Sequence, residues 1–523
     1  METRRLSDLV AALPAAQVYG DPDVVVQGLV TDSRRVQPGT CFVAIRGVQV
    51  DAHQFIPQAI AAGASAIVGE IAPNPAWASQ VTYVQVPHSR EALAHMAAAW
   101  YGFPSRQLLV VGVTGTDGKT TTSTLIASVL ECAGYDTGLI TTTGARVGKR
   151  TLDTGLHVTT PDALQVQSFL REMVTTGLNA AVVESTSHGL DQRRVDGVAF
   201  DVAVVTNVTH EHLDYHGTWE NYMAAKARLF FLTANSERKR WPKVAVLNRD
   251  DRSFDYLKEM TVEVQVTYGR ASSADVHPVE VEAGARGVQL SVRTPRGLMR
   301  VYSPLLGEFN VYNILAAIAV GEGLALSPEA VAEGIRRVQY IEGRMEPVDE
   351  GQDFLALVDF AHSPVALERA LKALRRLTRG RLIAVFGSAG LRDVAKRYLM
   401  GRIAAELADA VVLTAEDPRT ESLEAILAEM ARGARDGGGV EGRTFWCVPD
   451  RQRAILHAVR MAQPGDTVAV FGKGHERSMC FGTVEHPWYD REALRWALRV
   501  RLHGEQAAGP PPFVLPTWKA PSE

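Results

Sequence analysis

Short runs of β-branched residues recur along the chain, each closed by a glycine or a polar turn and followed by apolar positions at helical spacing. "LLVVGVTG" (108–115), "AAVVES" (180–185) and "DVAVVTNV" (201–208) are apolar without alternation, as strands covered on both faces are. Between them, "TTTSTLIASVLECAG" (120–134) and "TPDALQVQSFLREMVTTG" (160–177) carry the helical repeat. This rhythm predicts a doubly wound parallel sheet, with ligands at the carboxyl ends of its strands. The rhythm changes in "VQVTYGRASSADVHPVEVEAGARGVQLSVRTPRG" (264–297) to strand and turn, a β-rich insertion. It then resumes with "FLALVDFAHS", "RLIAVFGSAG", "DAVVLTAED" and "DTVAVFGKGH", the strand-and-loop units of a second open α/β sheet.

Upstream, "VVVQGLVTDSRRVQPGTCFVAI" (24–45) reads as two strands around a turn at Pro38-Gly39, and "FIPQAIAAGASAIVG" (55–69) as a helix ending near Gly63 before a buried strand. The expected organisation is a small N-terminal α/β domain over 1–105, a central α/β domain over 106–345 and a C-terminal Rossmann-like α/β domain over 346–503. "YGFPSRQ" (101–107) is the first linker, and the Pro-rich segment 504–523 reads as a disordered tail. A length of 523 residues fits about three domains.

Composition narrows the function class only slightly. With 46% hydrophobic and 22% charged residues and a net charge of −4, this is an ordinary globular chain with no electrostatic bias toward nucleic acid. Its most basic run, "ERKRWPK" (237–243), reads as a solvated loop. Cys41, Cys132, Cys447 and Cys480 show no C-x-x-C spacing, which argues against zinc and against a disulfide framework. No stretch reaches the ~18 apolar residues of a membrane span and no signal-peptide pattern opens the chain, so the expected compartment is the cytoplasm.

The chemistry starts at "TGTDGKT" (114–120). It nearly fits the phosphate-loop pattern G-x-x-x-x-G-K-[ST], but the position of the first glycine is Val113, with glycines at 112 and 115 instead. Gly115, Thr116, Asp117, Gly118, Lys119, Thr120 and Thr121 still offer amides, a lysine and hydroxyls at a helix start, as ATP phosphates and Mg²⁺ require. Glu184 and His212 end neighbouring strands, where a carboxylate is a natural Mg²⁺ ligand and an imidazole an uncommon one.

"TGTDGKTTT", "TTPDALQ", "ESTSHGLDQRRVDGVAFDVAVVTNVTHEHLDYHGTWENYMAAKARLF", "LLGEFNVYNILAA", "IEGRME", "VDFAHSP" and "GKGHE" follow in order, with "TDSRRVQPGTCFVAIRG" ahead of them. Together they resemble the Mur ligase family, on its UDP-N-acetylmuramyl-tripeptide synthetase branch, over about residues 25–495. The resemblance implies an ATP-dependent amide ligase of peptidoglycan precursor synthesis. In it, ATP phosphorylates the free carboxylate of UDP-N-acetylmuramoyl-L-alanyl-D-glutamate, and the amine of a diamino acid attacks the acyl phosphate. The chain is expected to be a monomer, with no membrane or nucleic-acid partner.

By resemblance, Lys119, Glu184, His212 and Lys226 carry catalysis. Ser33, Val48, Gln49 and Val50 meet the uridine. Thr159, Thr160, Ser187, Gln192 and Arg194 hold the muramyl dipeptide. Asn310 and Arg344 approach the adenine and phosphates, and Asp359 the ribose. Lys226 matches the family's carbamylated lysine (N6-carboxylysine), which with His212 would share a second Mg²⁺, the first falling to Thr120 and Glu184. Arg392, Glu416, Asp417, Pro418, Arg419, Gly472 and Glu476 match the amino-acid pocket. There the chain departs from the pattern. Diaminopimelate enzymes read D-N-P-R where this chain reads "EDPR", and the loop "GGDRDKGKR" is "AGLRDVAKR" (389–397). Arg419 suits a second carboxylate and hence diaminopimelate; the added charge at Asp417 suits an ammonium and hence lysine or ornithine. Two alternatives stand beside this reading: another ligase on the same scaffold, such as a folylpolyglutamate-type enzyme, and a paralogue that binds nucleotide without joining substrates.

Overall fold

The computed structural model describes residues 2–47, 50–152, 154, 159–209, 213–284 and 286–517. The chain divides into two compact units, Met1–Glu280 with Ser291–Val301 and Tyr312–Arg337, and Val281–Leu290 with Tyr302–Val311 and Val338–Glu523. The first unit holds residues 1–105 and most of 106–345, with a separate sheet in each.

The N-terminal sheet has five strands in the order Gln17–Tyr19, Thr82–Gln85, Ala66–Gly69, Cys41–Val43, Leu29–Val30. The two runs flanking Pro38-Gly39 pair in parallel, Leu29 opposite Cys41, rather than as a hairpin. A 3-10 turn at Ser33–Arg35, capped by the Asp32 carboxylate on the Arg34 amide, supplies the crossover.

The large sheet of the first unit orders Arg150–Leu152, Gly144–Val147, Thr137–Thr141, Ala180–Glu184, Leu109–Thr114, Val202–Val205, Val244–Asn248 and Val264–Tyr268. Pairing is parallel from Thr137–Thr141 onward. The strand Leu109–Thr114 is buried throughout, and a Cβ at Gly112 would stand 2.5 Å from Leu229 Cδ1, so the helix Trp219–Asn235 approaches it closely. Because Leu109–Thr114 lies between Ala180–Glu184 and Val202–Val205, its loop opens between the loops of both neighbours. The last strand comes from the stretch expected to be a β-rich insertion. The remainder of that stretch forms the three-stranded sheet His277–Gly284, Gly287–Thr294, Gly297–Ser303.

The second unit is built on a six-stranded sheet ordered Glu346–Pro347, Leu355–Asp359, Thr467–Phe471, Leu382–Phe386, Ala410–Leu413, Phe445–Cys447. The late strand Thr467–Phe471 sits between two earlier ones, which makes the switch point where a crevice forms.

Two expectations from composition hold only in part. The "ERKRWPK" run is a loop with Glu237, Arg238 and Arg240 exposed, but its lysines turn inward. Lys239 Nζ is 2.6 Å from the buried Asp201 carboxylate and donates to the carbonyls of Ser105, Leu108 and Ala199, and Lys243 joins the same carboxylate. Asp201 and carbonyls left over at the strand starts draw these ammonium groups inward, and burial pushes Lys239 down to about 8. The Pro-rich tail is packed as far as Thr517. Leu515 is buried, the Phe513 ring lies 5.4 Å from that of Trp488, the Trp496 indole donates to Gly509 O, and the Thr517 hydroxyl donates to Asp450. Apolar residues between the prolines anchor it, a feature that bulk composition conceals.

Candidate active site

Gly115 and Gly118 shape the phosphate loop. Both have positive φ, 145° and 79°. A Cβ at Gly115 would lie 1.8 Å from Thr206 Oγ1, and one at Gly118 2.3 Å from Asn313 Oδ1. Gly118 caps the helix Lys119–Cys132, whose free amides and dipole face the loop. The neighbouring strand's continuation holds the loop in place: Thr206 Oγ1 donates to Asp117 O, Asn207 Oδ1 accepts from the Asp117 amide, and Asn207 O accepts from the Thr116 amide. The Lys119 ammonium rests on Thr116 O at 2.8 Å, folded over its own loop.

On the other side stands Glu184, 1% exposed at the end of Ala180–Glu184. The Thr120 hydroxyl donates to its Oε2 at 3.0 Å, and the Thr142 amide does so at 3.3 Å. The Thr142 hydroxyl reaches Glu184 and also Thr159 Oγ1 at 3.1 Å. A hydroxyl and a carboxylate side by side beneath a phosphate loop are the hard oxygen donors Mg²⁺ takes, so these residues fit that ion. His212 lies outside the described residues, and among those described no cluster of three His, Cys, Asp or Glu side chains forms a metal site.

Lys226 is buried at 1% exposure in the helix Trp219–Asn235. Its Nζ donates to Gly115 O at 2.6 Å and lies 4.3 Å from the centre of the Tyr222 ring. The Tyr222 hydroxyl is 3.0 Å from that of Thr116. The side chain that solvation alone would send to the surface therefore meets the phosphate loop.

The residues expected to hold the muramyl dipeptide converge from two segments. The Thr160 hydroxyl donates to Glu184 O, and the Thr186 amide donates back to it. Thr186 caps the turn containing the buried Ser187. Arg194 donates to Thr160 O at 2.6 Å and to Gln192 Oε1 at 2.7 Å. Gln192 also lines a cleft of about 400 Å³ with Arg46, Glu70, His88, Arg90 and Tyr215, which joins the two sheets of the first unit. Val48 and Gln49 lie outside the described residues. Val50 is exposed, and the Ser33 hydroxyl is 3.4 Å from Gln58 Oε1.

In the second unit the strand ends collect the remaining candidates. Asp359 accepts from the amides of Met345 (2.8 Å) and Ala361 (2.9 Å), and burial raises its pKa against the opposing pull of Arg344. The Arg344 guanidinium covers the Phe360 ring at 4.6 Å. Asn310 turns its amide to Leu306 O, whereas Asn313, one turn later, reaches the phosphate loop within the first unit and accepts from Thr122.

Glu416 and Asp417 differ sharply. Glu416 is 5% exposed; its Oε2 has no hydrogen-bond partner, and a Cβ on Gly472 would stand 2.2 Å from it. Burial pushes its pKa up to about 7, opposed by Lys396, Arg451 and Lys473. The Asp417 carboxylate is fully engaged, by Lys473 Nζ at 2.9 and 3.0 Å and by the Cys480 amide at 2.9 Å. Lys473 also pairs with Glu476 at 2.5 Å. The charge that Asp417 adds is thus answered inside the protein. Asp417 and Arg419 both take positive φ, 40° and 53°, and Arg419 donates to Gly390 O. The Gly390 amide bonds Asp417 O, which ties Pro418 and its neighbours to the 389–397 loop. Arg392 is exposed there, as are Leu391 and Val394, which stand at positions polar in the resembled loop.

Sequence reading missed Thr142, Thr206, Asn207, Asn313, Tyr222 and Lys473. The quoted motifs contain all of them except Thr142, but spacing alone does not say which residue of a motif faces the loop.

Comparison with known proteins extends over the whole chain. The Mur ligase family catalytic domain matches residues 25–101, the Mur ligase middle domain 113–321 and the Mur ligase glutamate ligase domain 343–474. The UDP-N-acetylmuramyl-tripeptide synthetase of Roseiflexus sp. (strain RS-1) is 44% identical over 96% of this chain and 100% of its own. The UDP-N-acetylmuramoyl-L-alanyl-D-glutamate–2,6-diaminopimelate ligase of Geobacillus thermodenitrificans (strain NG80-2) is 42% identical over 95% and 100%. A solved structure of a ligase of the latter name superposes with a TM-score of 0.67, at 31% identity over 96% of this chain and 100% of the other.

Proposed function

The chain belongs to the Mur ligase family, and on that premise we propose that it is the ATP-dependent ligase that adds a diamino acid to UDP-N-acetylmuramoyl-L-alanyl-D-glutamate in peptidoglycan precursor synthesis. The observation that carries this reading is the end-to-end match to relatives named for that reaction, joined to a phosphate loop whose Thr120 and Glu184 meet at 3.0 Å.

The proposed roles are consistent with the geometry. Lys119 leaves Thr116 O to meet the β- and γ-phosphates. The loop amides and helix start hold the same charge without rearrangement. Thr120 and Glu184 would hold Mg²⁺, which would supply positive charge at the phosphates. Thr160, Ser187, Gln192 and Arg194 position the dipeptide carboxylate, with the nucleotide sugar in the cleft of Arg46 and Arg90. Orientation of two bound substrates accounts for much of such a rate. The carboxylate attacks the γ-phosphorus, ADP leaves, the substrate amine attacks the acyl carbon, and phosphate departs as the amide forms. Asn310, Arg344 and Asp359 serve the nucleotide. Glu416 meets an ammonium of the incoming amino acid, and Arg419 a carboxylate.

Lys226 as N6-carboxylysine, shared with His212 around a second ion, is part of the same proposal. Its burial against Gly115 supports a role at the loop in either form. Lys226→Ala is expected to lower turnover strongly, with partial rescue by short carboxylic acids; near-normal activity would rule out the carbamate. The use of ATP fits a cytoplasmic enzyme, and among the described residues no helix is long and apolar enough to cross a membrane.

The deciding experiment is phosphate release from ATP with purified protein and UDP-N-acetylmuramoyl-L-alanyl-D-glutamate. Meso-diaminopimelate, L-lysine and L-ornithine are supplied separately, and product mass is measured. Because Asp417 is already paired with Lys473 and Arg419 suits a second carboxylate, product with meso-diaminopimelate is expected. Product only with lysine or ornithine would move specificity to Glu416, and no product with any of them would sink the reading.

A further inference from the structure

A fully buried ion pair lies behind the two loops of the amino-acid pocket. Arg451 and Asp490, both 0% exposed, meet through Nε–Oδ1 and Nη2–Oδ2 contacts of 2.7 Å. The Trp488 indole donates to the same Asp490 Oδ1 at 2.8 Å. A fork held this way leaves donors aimed in fixed directions. They point forward: Nη1 donates to Ala415 O at 3.1 Å and Nη2 to Phe471 O at 2.7 Å. These are the carbonyls immediately before Glu416 and Gly472; Ala415 lies beyond the strand end at Leu413, and Phe471 is the last residue of its strand, with the Gly472 amide on Asp359 O. One guanidinium therefore sets the spacing between Glu416 and the glycine that leaves room for it.

We propose that Arg451 is a positioning residue for the incoming diamino acid. Anchored by Asp490 and Trp488, it locks Ala415 and Phe471 so that Glu416 and Gly472 present one preformed site. This rests on the proposed ligase reaction. Arg451 touches no substrate and acts through the two carbonyls. Its charge acts on Glu416 as well, alongside Lys396 and Lys473 and against Asp417, the other charged groups facing that carboxyl. The tail reaches the same assembly: Phe513 packs on Trp488, and Thr517 bonds Asp450, the cap of the helix that begins with Arg451.

The test is Arg451→Lys, which keeps the charge and loses the fork, with Trp488→Phe as the milder variant. The three KM values are measured on folded protein with whichever diamino acid the wild type accepts. Displacement of a binding group by a fraction of an ångström predicts a KM for the diamino acid raised about tenfold in Arg451→Lys, with those for ATP and the UDP-dipeptide within about twofold. Amide exchange should quicken at 416–419 and 472–476 and not within Leu382–Phe386. If Arg451→Lys does not fold, Trp488→Phe must show the same selective rise at smaller size. An unchanged KM for the diamino acid, or a rise shared equally by all three substrates, would overturn the proposal. A wild type inactive with every diamino acid would instead defeat the ligase reading, and the exchange pattern would still decide whether Arg451 organises the two loops.

Discussion

At the phosphate loop the groups that face the expected ligand are backbone amides, threonine hydroxyls and one lysine, packed so closely that Gly115 and Gly118 have no room for a methyl group. At the strand ends of the second unit the groups are ionisable and buried: Glu416 with an unsatisfied oxygen, Asp417 on Lys473, Arg451 on Asp490. The first region is specified mainly by shape. The second is specified by charge balance, where removing one partner strands another in a medium that solvates ions poorly. One chain thus prepares for a polyphosphate largely with backbone dipoles and hydroxyls, and for an amphoteric amino acid with buried ionisable groups.

Four experiments press on this contrast. The largest effect is expected from Lys119→Ala, which removes the loop's mobile charge. Phosphate release should fall about 10²–10³-fold with the melting temperature almost unchanged, the cost of deleting one electrostatic contact to a transition state. A large loss of stability instead would mean that the loop, too, depends on its charge for folding. Next is Lys473→Met, which leaves the Asp417 carboxylate buried without its cation. Denaturant unfolding should show about 3 kcal/mol of destabilisation, and Asp417→Asn should cost less because Lys473 keeps Glu476. Equal costs would show that Asp417 is not the stranded partner.

Glu416→Gln sharpens the pH side. Burial raises the folded pKa of Glu416 to about 7 from an ordinary 4.5, so the folded chain binds this proton more tightly than the unfolded one. Its stabilisation is complete below about pH 4.5 and is lost as pH rises through about 7, on the order of 3 kcal/mol in all. The glutamine variant should flatten the melting-temperature profile across that window. In the wild type, KM for the diamino acid should fall as pH rises through about 7, because an ammonium needs the ionised carboxylate. A flat KM profile would remove Glu416 from the pocket. The smallest effect belongs to Leu515→Ala. Loss of a buried leucine should cost about 2 kcal/mol in unfolding and leave KM for the UDP-dipeptide unchanged, which tests whether the tail serves only the second unit.

Legibility in the sequence follows the same division. The parallel strands announced themselves through unbroken β-branched runs, and "TGTDGKT" could be placed because strand, turn and helix start are contiguous. Thr206, Asn207 and Asn313 close on that loop from strands and helices far along the chain, and no local pattern marks them. The setting of Asp417 was hidden for a related reason. Its charge was visible, but the lysine that answers it lies 56 residues away, and only the crossover of Thr467–Phe471 into the middle of the sheet brings them together. The tail's packing and the burial of Lys239 and Lys243 were missed because composition counts prolines and charges without registering what a nearby Phe513 or Asp201 can offer them.

The Asp417–Lys473 pair also constrains how such a pocket can drift over generations. A lineage that first exchanges Asp417 for asparagine leaves Lys473 with Glu476 and passes through a folded intermediate. A lineage that loses the lysine first must carry a stranded carboxylate until a second change arrives. Changes of amino-acid preference at this site should therefore have a direction, with the acidic position moving before the basic one.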